Sequence, residues 1–179
     1  MVRLLFLFLI LAGPATADAW DVARAPGAVL LMRHEAAPGS GDPATVVIGD
    51  CTTQRNLSDA GRAAAIETGK AIRAAGIALT LVATSQWCRT RDTARLLDVA
   101  PVEDWPELNS TFNGQGDVAA QRERVLRRLA GLPPGTHPLL VTHQVNISAL
   151  TGLALRSGEI AVVRIEAGGG VEMLGRIDP

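Results

Sequence analysis

Short, almost wholly apolar runs alternate along this chain with longer stretches in which apolar residues recur at helical spacing. Ala28-Val-Leu-Leu-Met32, Leu79 to Ala83 and Pro138-Leu-Leu-Val-Thr142 are continuous runs of strand length. That pattern predicts strands buried on both faces. Between them, the alanine-rich segment Asp59 to Ala75 reads as a helix, with Ser58 as its N-cap and Gly76 as its stop. Gln86 to Leu97 reads as a second helix, with Ala94 and Leu97 on one face. Asp117 to Ala130 is a third, its arginines outward and Val125, Leu126 and Leu129 inward, broken by Pro133-Pro-Gly135. The pattern permits another helix over Val145 to Leu155 and a short strand over Pro101 to Asp104. Ile160 to Ile165 and Val171 to Leu174, on either side of Ala167-Gly-Gly-Gly170, form a closing hairpin. Residues 36–56 and 105–116 have little periodicity and read as loops, and long loops in compact domains are often functional.

Strands alternating with helices predict an α/β fold, a three-layer sandwich with a mostly parallel central sheet flanked by helices. In such sheets the site lies beyond the carboxyl ends of the strands. Arg33 and His34 directly follow the first buried strand and His143 follows the third. Arg89 comes six residues after the second, near the start of a helix. Three separate parts of the chain thus deliver two arginines and two histidines to one edge.

The total of 179 residues, 47% hydrophobic and 20% charged, fits one globular domain rather than a disordered chain. The N-terminus reads differently. Arg3, the apolar run Leu4 to Ala12, the break at Gly13-Pro14 and the small residues Ala15-Thr16-Ala17 compose a signal peptide over 1–17, leaving a domain over 18–179. The apolar run is too short for a mature membrane anchor, so no stable anchor is expected after cleavage. Losing Arg3 moves the formal charge from −1 to −2, which gives no general pull toward nucleic acid or an anionic membrane. There is no tyrosine for stacking bases. The expected location is periplasmic or secreted. In that setting Cys51 and Cys88 are most simply one disulfide; the competing reading is a reactive thiol at Cys88 beside Arg89.

Two arginines and two histidines at a strand edge suit a tetrahedral dianion. Arginine forks hold phosphate oxygens bidentately and keep their charge. A neutral imidazole attacks phosphorus through one nitrogen when a carbonyl fixes the N–H of the other. Arginines placed this way supply the charge stabilisation without a metal, and the three histidines lack metal-ligand spacing. No cofactor and no metal site are expected.

Four segments together resemble the histidine phosphatase superfamily, the phosphoglycerate mutase-like fold. Leu31-Met-Arg33-His34 is similar to its opening strand and RH signature. Asn56-Leu-Ser58-x-x-Gly61 is similar to its L-T/S-x-x-G segment, and Ser85-Gln-Trp-Cys-Arg89-Thr-Arg-Asp-Thr93-Ala94 to its S-x-x-x-R-x-x-x-T-A segment. Val141-Thr-His143 resembles its late strand and second histidine. The resemblance implies that His34 takes the phosphoryl group, Arg33 and Arg89 bind its oxygens and His143 stabilises it in transfer. Gln144, Asn146 and Glu35 are the further candidates for substrate contact.

Three positions depart from that pattern. Glu35 stands where glycine usually follows RH, Ser110 where one branch carries its acid, and Gln144 where the other branch has aspartate after the second histidine. Both usual proton donors are therefore replaced, with Glu35, Asp50 and Glu107 as possible substitutes. The expected activity is hydrolysis of a phosphomonoester on a small molecule, lipid or saccharide, in a site without a large capping insertion. The alternative is a periplasmic module that binds a phosphorylated ligand and has lost turnover.

Overall fold

The computed structural model describes residues 18–179 except Gln115, so the segment 1–17, expected to be a signal peptide, lies outside the described residues. The chain runs α1 (Ala19–Ala23), β1 (Ala28–Arg33), α2 (Asp59–Ala74), β2 (Leu81–Thr84), α3 (Cys88–Leu97), β3 (Val102–Asp104), α4 (Val118–Ala130), β4 (Pro138–Thr142), α5 (Gln144–Thr151), β5 (Ile160–Ile165) and β6 (Val171–Ile177). The six strands form one sheet in the order β3-β2-β4-β1-β5-β6. β3, β2, β4 and β1 pair in parallel, whereas β5 and β6 are added antiparallel at one side.

Alternation along each buried strand divides the core in two. Leu30 and Met32 of β1 join Val82, Leu139, Val141, Ile72 and Leu97 on the face covered by α1, α2 and α3. Val29 and Leu31 point the other way, onto Leu81, Leu140, Val125, Leu129 and Ile147 beneath α4 and α5. Two apolar faces per strand explain why these runs carry no polar alternation. The result is the expected three-layer α/β sandwich.

Helix α2 is capped by Ser58, whose Oγ accepts from the Gly61 N–H at 3.0 Å. Its two glycines are sites of close approach. A Cβ at Gly61 would overlap the carbonyl of Ala36, and one at Gly69 the carbonyl of Leu97. The helix is thereby seated against the chain just after His34 and against the end of α3.

The structure adds α1, which sequence patterning did not show, and carries β6 three residues beyond Leu174. It starts β2 at Leu81 rather than Leu79, α3 at Cys88 rather than Gln86, and ends α5 at Thr151, where Gly152 takes a left-handed conformation at φ 74°. Cys51 and Cys88 form a disulfide, 37 residues apart in sequence, which rules out a free thiol at Cys88. It joins the 36–56 loop to the first residue of α3.

Candidate active site

The carboxyl ends of β1, β2 and β4 open onto a cleft of about 170 Å³, lined among others by Arg33, His34, Asp42, Arg55, Arg89, Ser110, Phe112, His143 and Gln144. β1 and β4 are parallel neighbours with Arg33 beside Thr142 in register, so the residues that follow, His34 and His143, emerge together. Their rings meet edge to face with centroids 5.4 Å apart. Both are almost fully buried.

Each imidazole is oriented by a fixed partner. His34 Nδ1–H donates to the Glu35 carbonyl at 2.7 Å. Its Nε2 therefore carries the lone pair, and it accepts from Arg89 Nε–H at 3.3 Å. Burial, reinforced by Arg89, Arg55 and Arg33, pushes the His34 pKa down to about 3 against the pull of the Glu35 carbonyl. The ring is thus neutral across the physiological range, as a nucleophile must be. His143 is held well below its ordinary value by burial, by His34 and by the same arginines. Its Nδ1 accepts from Arg89 Nη2 at 3.3 Å, and its Nε2 lies 2.8 Å from Ser85 Oγ. Ser85 in turn meets Thr90 Oγ1 at 2.7 Å, which closes a buried polar chain behind the ring.

Arg89 is the hub. Its side chain is 3% exposed, and besides both histidines it donates to Asp42 Oδ1 at 2.8 Å, to Asp42 Oδ2 at 3.0 Å and to the Arg55 carbonyl at 3.3 Å. All five of its N–H groups are engaged. Asp42 comes from the glycine-rich turn of the 36–56 loop. It also accepts from the Trp87 indole N–H at 3.0 Å and from the Arg55 backbone N–H at 3.0 Å. Burial alone would raise its pKa; the Arg89 fork and these N–H groups outweigh that and hold it below the usual carboxylate range. Arg55 ties the same loop together, donating to the carbonyls of Ala37, Gly39 and Gly41. Arg33 donates to the Leu155 carbonyl at 2.8 Å, and its buried Nε has no partner.

The structure brings Arg33, His34, Arg89, His143 and Gln144 to this cleft. It turns the other two candidates away. Glu35 follows His34 in extended chain, so its side chain points to the opposite side, where it is buried against Thr68 and Gly158 and accepts from Thr68 Oγ1 at 3.3 Å. Asn146 is buried under β4, its amide nitrogen donating to the Leu108 and Asn109 carbonyls and to Thr142 Oγ1. Its donors fasten the 105–116 segment and leave none for a ligand. Gln144 lines the cleft, but its side-chain amide is spent on Ser148 Oγ, the Leu153 carbonyl and the Leu155 N–H. Asp50 is exposed and caps the short turn at Cys51, and Glu107 pairs with Arg128, so neither lines the cleft. Arg91 pairs with Asp104 outside it. Sequence reasoning missed Asp42 and Arg55. Only their place in a long glycine-rich loop hinted at a role. Among the described residues, no three His, Cys, Asp or Glu side chains cluster so as to hold a metal ion.

No family model and no curated protein matches the chain by sequence. Solved structures do match its fold. The protein histidine phosphatase SixA, solved with tungstate, superposes at a TM-score of 0.61 with 19% identity over 85% of this chain and 97% of its own. A mycobacterial glucosyl-3-phosphoglycerate phosphatase gives 0.59 and 17%, over 83% and 97%. A phosphoserine phosphatase from Entamoeba histolytica, bound to 3-phosphoglyceric acid, gives 0.58 and 12%, over 85% and 97%. At these identities the likeness speaks for architecture, and it agrees with the motifs in their order along the chain. The chain has the phosphoglycerate mutase-like fold that these structures share.

Proposed function

We propose that this protein is a metal-independent phosphatase that hydrolyses a phosphomonoester through a phosphohistidine on His34. The observation that carries the reading is the fixed tautomer of His34. Its Nδ1–H is committed to the Glu35 carbonyl, so Nε2 carries the lone pair, which meets Arg89 Nε–H at 3.3 Å in a cleft lined by three arginines and a second histidine. In the first step Nε2 attacks phosphorus and the ester oxygen leaves. Arg33, Arg55 and Arg89 hold the equatorial oxygens, with His143 beside them. In the second step water attacks the phosphohistidine, the N–P bond breaks, and orthophosphate departs as the imidazole returns to its Glu35-bonded form.

Phe112, 45% exposed at the cleft, offers an apolar surface to whatever carries the phosphoryl group. That supports a phosphorylated lipid or saccharide head as substrate class. The Cys51–Cys88 bond supports export to the periplasm or beyond.

The test is phosphate release from p-nitrophenyl phosphate and a panel of phosphorylated metabolites, with and without chelator, together with acid-quench trapping of an acid-labile phosphoenzyme. Turnover that survives chelator, with label on wild type and none on His34→Ala, supports the reading. A ligand-binding module without turnover is the second reading, and Ser110 and Gln144 in place of both usual acids favour it. Tight orthophosphate binding with no release from any ester would select it.

A further inference from the structure

Resting on the phosphatase reading, we propose that Asp42 is the proton donor of this site, carried on the 36–56 loop and released for duty when the phosphoryl group takes its place on Arg89.

The two positions where a donor was expected hold Ser110 and Gln144, neither of which is acidic. Among the cleft-lining residues, Asp42 is the sole carboxylic acid. It occupies a phosphate's place, since both of its oxygens lie along the Arg89 fork, the geometry by which a guanidinium holds two phosphoryl oxygens. No N–H of Arg89 is left over for a ligand, so an incoming phosphoryl group gains this arginine only by displacing the carboxylate. Arg89 Nε lies against His34 Nε2, so a phosphoryl group taken onto this arginine sits beside the nucleophile, in the same cleft that Asp42 lines.

Displacement also changes the acid. In the resting cleft the Arg89 fork, the Arg55 N–H and the Trp87 indole keep Asp42 ionised. Without the fork, and beside a phosphoryl dianion, the same carboxylate is stabilised far less as an anion and takes up one proton from solvent. As His34 Nε2 forms its bond to phosphorus and the P–O ester bond breaks, Asp42 passes that proton to the leaving oxygen. The alcohol is released neutral and the carboxylate is regenerated. It then accepts a proton from the water that attacks the phosphohistidine, and the N–P bond breaks to give orthophosphate. With the phosphate gone, Asp42 releases that proton to solvent and the carboxylate returns to Arg89.

A proton donor matters in proportion to how poor the leaving group is. The experiment compares kcat/KM for n-hexyl phosphate and p-nitrophenyl phosphate in wild type and Asp42→Asn, with orthophosphate inhibition measured alongside. Asparagine keeps one oxygen, enough for either the Arg55 N–H on Oδ1 or the Trp87 indole N–H on Oδ2, and a thermal melt checks that the variant is folded. The expected result is that the alkyl-to-aryl ratio falls roughly 100-fold or more, the usual worth of a general acid. Orthophosphate should inhibit Asp42→Asn more strongly, because its internal rival is gone. A folded variant whose ratio matches wild type would overturn the proposal while leaving the phosphatase reading intact. A wild type that releases phosphate from neither ester would overturn both.

Discussion

The cleft has two walls of different make. One is the sheet edge, where His34, His143 and Arg89 are nearly buried and set by backbone that runs directly out of β1, β4 and the start of α3. The other is the 36–56 loop, mostly exposed, which reaches in with Asp42 and Arg55. On the proposed mechanism, the edge fixes the nucleophile without further motion, and the loop holds the group that moves. A phosphoryl-transfer site needs both, because precise in-line placement and the exchange of substrate for product place opposite demands on the same few ångströms.

The largest effect should come from cutting the rigid wall at its centre. His34→Ala should lower kcat by roughly 10⁴-fold or more while orthophosphate binding persists, as calorimetry would register. Loss of phosphate binding along with turnover would mean that His34 is chiefly a structural part of the wall. The tether of the loop wall comes next. Replacing Cys51 and Cys88 with serine should cost about 4 kcal/mol in a urea unfolding curve, from the loop of 37 residues that the bond closes. Limited proteolysis of that variant should begin within 38–50 and spare the sheet edge.

Gly61→Ala probes the seam between the walls. Its methyl group would press the first turn of α2 against the Ala36 carbonyl, two residues from His34, at a cost of about 1–3 kcal/mol. An unchanged melting temperature would show that the seam yields. The smallest effect concerns Glu35, a carboxylate buried behind the rigid wall whose pKa is raised by desolvation. Its folded value lies above its unfolded one, so the penalty is present at high pH and fades as pH falls toward the unfolded value. Glu35→Gln should therefore stabilise the protein by on the order of 1 kcal/mol at pH 8, with the gain shrinking by pH 5. A gain independent of pH would assign the effect to packing instead.

The rigid wall was legible in the sequence and the loop was not, for a physical reason. Val29 to Met32 and Leu139 to Val141 are apolar on both faces, a pattern that marks a central strand, and the polar residues at their ends mark the edge where ligands bind. Asp42 and Arg55 sit among Gly39, Gly41 and Gly49, where no period says which way a side chain points. Their role exists only once Arg89 arrives from another element. Glu35 and Asn146 went astray through neighbourhood. Adjacent residues in extended chain face opposite ways, and three positions along α5 carry Asn146 from the cleft to the Leu108 carbonyl. Helix α1 escaped notice because five residues give barely more than one turn of pattern.

The bond between Cys51 and Cys88 gives this cleft a history as well as a shape. For an exported chain, the thiols meet only after the protein has left the compartment where phosphorylated metabolites are made. Without the bond the strands behind the sheet edge are still held by core packing, whereas the loop bearing Asp42 and Arg55 keeps hydrogen bonds such as those of Arg55 to Asp42 and Gly41. On the proposed reading of an exported phosphatase, the disulfide would act as a timer: the site is completed only after delivery, and stray hydrolysis on the way out is held down by its incompleteness.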